Sequence, residues 1–155
     1  MSHVERIAPR VLPWLPSLVA LVVTLVAQPY FGNMDDSNYV TRAGETDPVT
    51  FAYREFDPET GVVRVASWLV MWPASWLGHH LGPAAYFSAN VVVVSLCLAA
   101  FGYAYIRLVG WTSPWLFAVF MGVAFTWPYT AELLFFPSLQ EKAVILGAAL
   151  LLLWI

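Results

Sequence analysis

The chain has 155 residues, 60% of them hydrophobic and 11% charged, with a net charge of -3. A soluble domain carries roughly 25% charged residues, so a fully water-exposed surface is excluded and an integral membrane protein is the expected class. The lack of a basic cluster argues against nucleic acid as a partner, and a single cysteine, Cys97, excludes an intrachain disulfide and a thiol metal site.

The first apolar stretch covers about 11–31 and carries no charge. At ~1.5 Å per residue it can cross a ~30 Å hydrocarbon core. Pro13 and Pro16 fall in its first turns, where a missing amide proton costs little. A cleavable signal peptide is the competing reading. Cleavage after Ala27 would put Leu25 where a small residue is wanted, so a retained anchor is expected.

Residues 32–83 form the loop that follows. Its first half is acidic: Asp35, Asp36, Glu45, Asp47, Glu55, Asp57 and Glu59 face only Arg42 and Arg54 as bases. Asp57-Pro58-Glu59-Thr60-Gly61 is a turn signature, since proline presets one dihedral and glycine tolerates the positive one. Residues 62–78 are apolar, with Trp68, Trp72 and Trp76 at helical spacing on one stripe. Tryptophan favours the headgroup level. The segment is shorter than ~20 residues and contains Pro73. It reads as an interfacial or re-entrant helix, the alternative being a full span.

Further spans are expected at about 84–106, 114–131 and 143–155. The last is short, and a terminal carboxylate at its end would be stranded in lipid. The expectation is therefore the N-terminal part of a longer polytopic protein. A short final helix shielded by partner subunits is the alternative. The whole is one all-α, polytopic transmembrane domain over 1–155, with about three to four spans and a loop bearing short interfacial helices.

Cations set the topology. Arg6 and Arg10 precede the first span and Arg107 follows the second, marking the cytoplasmic side. The acidic loop and the segment from Glu132 to Lys142 then meet on the extracytoplasmic side of the membrane.

Asp35 and Asp36 carry the chemical interest. Helix capping explains one of them: Asn33 as the cap, with Asp36 in the first turn. It does not explain a pair. One carboxylate can take a proton from an acceptor hydroxyl while the other orients it or binds a cation. Asp35-Asp36-x-x-Tyr39 after one span, followed by a loop with surface helices, resembles the N-terminal part of the GT-C superfamily. These are polytopic glycosyltransferases that use polyprenyl-phosphate-linked sugars. The stretch from Gly61 through Arg64 to Trp76 is similar to the loop helices of bacterial members, and Asn90 with the apolar run after it fits the next span.

The resemblance implies a scheme. Asp35 or Asp36 acts as general base, an acceptor hydroxyl attacks the anomeric carbon, and polyprenyl phosphate leaves with inversion. It also implies partners: membrane lipid and a lipid-linked sugar donor. The leaving phosphate wants a cation. Arg42, Arg54, Arg64 and Lys142 are the cations on that face; Arg64, bordering the surface helix, is the first candidate, and snorkelling is its plain alternative. Tyr39 and Glu132 complete the candidate substrate-binding set. No cofactor is required, and a divalent cation is left open. His79-His80 read as surface residues rather than metal ligands. The reading from a different class is a small non-enzymatic membrane subunit that packs against partner proteins.

Overall fold

The computed structural model describes residues 8–27, 29–31, 34–54, 65–110, 113–135 and 141–155. Every element among them is helical. Residues Ala8–Val26 form one apolar helical stretch, interrupted by a 3-10 turn at Leu12–Trp14. Its α-helical part is α1, Leu15–Val26. The stretch ends short of the expected position 31, and Pro29, which lacks an amide proton, could not have extended it. Leu18, Val19, Val22 and Val23 of α1 all stand exposed, the pattern of a helix that is apolar around its circumference.

The loop folds into α2, Met34–Glu45, and α3, Pro48–Arg54. Asp47 caps α3: its Oδ1 accepts from the backbone N–H of Val49 at 2.9 Å and of Thr50 at 3.0 Å. Next comes α4, Val65–Leu81, with Pro73 inside it. Its 17 residues reach ~25 Å, a little less than a bilayer core. Gly82 has φ of 87°, a left-handed conformation that suits glycine, and it joins α4 to α5, Pro83–Leu108. The two helices pack on each other, and α2 and α3 pack on α4.

The hub is α5, 26 residues long, touching α1, α4 and the three helices that follow it. The expected span at 114–131 is two helices, α6, Pro114–Thr126, and α7, Pro128–Phe135, bent by 76°. The cause is local. Proline disfavours a helical conformation in the residue before it, and Trp127 is extended with φ -71° and ψ 128°. The last helix is α8, Glu141–Trp154. Two described helices are long and apolar enough to cross a membrane, Ala8–Val26 and Pro83–Leu108, or three if the bent pair counts as one.

Within the protein the tryptophan stripe makes packing contacts. Trp72 packs against the buried cluster of Ala43, Phe51, Ala52 and Met71, and its Nε1 donates to the Thr46 carbonyl at 3.2 Å. It fastens the loop helices to α4. Trp76 continues the stripe and lies against His80, with ring centroids 4.4 Å apart and planes tilted by 60°. The side chain of Trp68 lies outside the described residues.

Candidate functional site

The site lies at the end of the bundle where α2, α5 and α8 begin and α7 ends. Asp36, Tyr39, Val40 and Ala43 fall at i, i+3, i+4 and i+7 of α2, which is one helical face. That face is turned inward: Asp36, Val40 and Ala43 are buried and Tyr39 is half-buried. An acid therefore occupies a core position, with Asp36 only 2% exposed. A buried carboxylate is costly unless bonded. Tyr86, in the first turn of α5, donates its hydroxyl to Asp36 Oδ1 at 2.8 Å. Val40, Ala74 and Phe31 enclose the tyrosine ring.

One turn further along α5, Asn90 uses both ends of its amide. Its Nδ2 donates to the carbonyls of Leu133 at 2.8 Å and Leu134 at 3.1 Å. These belong to the last turn of α7, whose final carbonyls have no partner within their own helix. Asn90 thus caps α7 from the side. Its Oδ1 accepts from Lys142 Nζ at 2.6 Å. Lys142 is itself 2% exposed. Negative potential around it supports its buried ammonium: the Asp36 and Glu141 carboxylates attract it, and the adjacent C-terminus of α7 carries the negative end of that helix dipole.

Four polar residues from three helices are thereby linked: Asp36 with Tyr86, Asn90 with Lys142, and the two charges with each other. The arrangement holds a carboxylate and an ammonium in place at the mouth of an apolar bundle. Both charges are already engaged by protein groups.

The other expected residues are distributed around this cluster. Tyr39 packs its ring against the cluster of α2, α3 and α4. Glu132 is exposed on α7. Arg42 is exposed in the last turn of α2. The side chain of Asp35, the capping candidate Asn33 and all of Arg64 lie outside the described residues. His79 and His80 end α4 with their rings 4.9 Å apart. Among the described residues no three His, Cys, Asp or Glu side chains gather as metal ligands would.

Tyr86 is the member that sequence reading passes over, and Asn90 is the one it places without a role. The signal was present: Tyr86 and Asn90 sit at i and i+4 on one face of an apolar helix, where polar groups seldom occur without a partner.

No protein-family profile, curated protein or solved structure matches this chain.

Proposed function

We propose that this chain is the N-terminal portion of a membrane glycosyltransferase that moves a sugar from a polyprenyl-phosphate donor to an acceptor on the extracytoplasmic face of a bacterial cytoplasmic membrane. The observation that carries the reading is the buried Asp36–Tyr86 bond beside Lys142, at the end of a bundle with helices apolar enough to span a bilayer. A site for a lipid-linked substrate needs its acidic loop held at the edge of an apolar region, and this cluster supports that by fastening the start of α2 to α5.

The burial of Asp36 divides the two acids. Asp36 is bonded and enclosed, so its part is to position the start of α2. Asp35 is then the general base. It takes the proton of the acceptor hydroxyl as the oxygen bonds to the anomeric carbon. The bond from that carbon to the phosphate oxygen breaks, and polyprenyl phosphate departs with the electron pair. Arg64 is the cation assigned to the departing phosphate. Lys142, engaged inside the protein, holds the scaffold of the site.

The test is transfer by membranes carrying the full protein, supplied with a set of polyprenyl-phosphate sugars. Asp35→Asn should reduce transfer by ~10²- to 10⁴-fold, the usual loss for a general base, with expression unchanged. Asp36→Asn should act mainly through stability. Undiminished transfer by Asp35→Asn would remove the assignment.

The reading from the other class, a non-enzymatic subunit that packs against partners, draws on the same burial. A carboxylate and an ammonium neutralised inside the protein also make a structural lock. Under that reading Asp35→Asn and Asp36→Asn leave envelope sugar transfer intact, while Lys142→Met prevents co-purification of the partners.

A further inference from the structure

The bent pair α6 and α7 carries a feature independent of the sugar-transfer reading. Neither helix crosses a bilayer alone: with 13 and 8 residues they measure ~20 Å and ~12 Å. Laid end to end, from Pro114 to Phe135, they would reach ~33 Å, enough for a ~30 Å hydrocarbon core. The pair is apolar enough to count as one span, yet it is bent by 76°.

The elbow is served from within. Pro128 has no N–H, and the Trp127 N–H donates to the Ala124 carbonyl at 3.4 Å. Thr126 Oγ1 donates to the Val123 carbonyl at 2.8 Å. The Trp127 carbonyl accepts from the N–H groups of Thr130 at 3.0 Å and Ala131 at 3.4 Å. These bonds all lie within 123–131, and none of them ties the elbow to another helix. Trp127 itself is 63% exposed.

The far end of α7 is held differently. The Leu133 and Leu134 carbonyls accept from the Asn90 amide of α5, and the Asn90 oxygen accepts from Lys142 of α8. Leu133 also joins the buried cluster of Val94, Leu98 and Met121. In a bilayer that burial counts for little, because lipid tails are as apolar as leucine. The carbonyls are another matter, since an unbonded backbone group in lipid costs several kcal/mol. Two arrangements satisfy them. In the bent one Asn90 is the donor. In a straightened one the end of α7 reaches the headgroup level, where water is the donor. Pro128 allows both, since a proline inside a membrane helix is tolerated.

We propose that α7 is a hinged arm with two positions, turning at Trp127-Pro128 and latched in the bent position by Asn90 and Lys142.

The experiment is pulsed electron spin resonance on the full protein in lipid nanodiscs. Nitroxide labels are placed by E132C on α7 and Y103C on α5, both at exposed positions, with Cys97→Ala to remove the native thiol. The latched arm gives one distance, and the released arm adds a second that is longer by roughly 10 Å, close to the length of α7. Asn90→Leu should raise the longer population at least about fivefold, since two hydrogen bonds of the latch are lost. Pro128→Ala lifts the restriction on Trp127 and should shift the balance the same way with the latch untouched. That second variant decides the matter even if Asn90→Leu fails to fold. A single distance, the same in the unaltered chain and in Pro128→Ala, overturns the proposal. So does a longer population that a folded Asn90→Leu protein does not raise.

Discussion

Tyr86 donates its hydroxyl to Asp36 at 2.8 Å across a separation of 50 positions, fixing the start of the acidic loop to the start of the central helix. Tyr86→Phe keeps the ring and its contacts but removes the donor. The buried carboxylate then lacks a bond of the charge-assisted kind, worth about 1.5–3 kcal/mol. A loss of that size is expected in chemical unfolding of the micelle-bound protein. Unchanged stability would mean that Asp36 is satisfied without the tyrosine.

Lys142 and Asp36 should behave as a coupled pair. Lys142→Met removes a buried cation, leaving Asn90 Oδ1 without its donor and the Asp36 carboxylate without that countercharge. Breaking a buried pair from one side typically costs about 3–5 kcal/mol. Asp36→Asn in the same chain removes the charge left behind, so the double variant should be less destabilised than the sum of the singles by roughly 0.5–3 kcal/mol. Simple additivity in the double-mutant cycle would show that the two groups do not sense each other.

The crossing of α5 and α6 depends on one small residue. A Cβ built on Gly102 would lie 2.3 Å from Phe120 Cδ1, well inside van der Waals contact. Gly102→Ala should overpack the interface and destabilise the protein by about 1–3 kcal/mol. Phe120→Leu in the same chain should recover part of that loss. Melting temperatures of the single and double variants, measured side by side, test the pair.

The cap of α3 carries a pH dependence of known sign. Hydrogen bonds from the Thr50 side chain and backbone and from the Val49 N–H hold the Asp47 carboxyl below its usual range. A group whose folded pKa is depressed stabilises the folded form above its unfolded value, and the benefit is lost as pH falls through the folded value. Protection of the Val49 and Thr50 amides against hydrogen exchange, corrected for the intrinsic rate, should be full at pH 6 and fall under acid conditions. Asp47→Ala should lack that protection at every pH, and Asp47→Asn, which still accepts, should retain much of it. A flat profile in the unaltered protein would contradict the capping geometry.

Composition and local chemistry make much of this protein legible from its residues. The shortage of charge indicates bilayer, and prolines at 48, 83 and 114 open helices where a missing amide proton is tolerated. Pro128 carried the signal for the elbow, yet the apolar run through it read as one span, because hydropathy averages over a bend that a single dihedral creates. Asp36 and Lys142 could be placed near one end of the bundle from the order of the spans. Only the tertiary structure shows that both are buried, and that Tyr86 and Asn90 are what hold them. Helical periodicity tells which residues share a face. It does not tell which face of another helix, 50 or 52 positions away, will meet it, because that pairing depends on how whole helices pack. The same limit applied to Trp72. Its stripe was visible in the spacing, but the Thr46 carbonyl that receives its N–H comes from a loop whose path is fixed by folding.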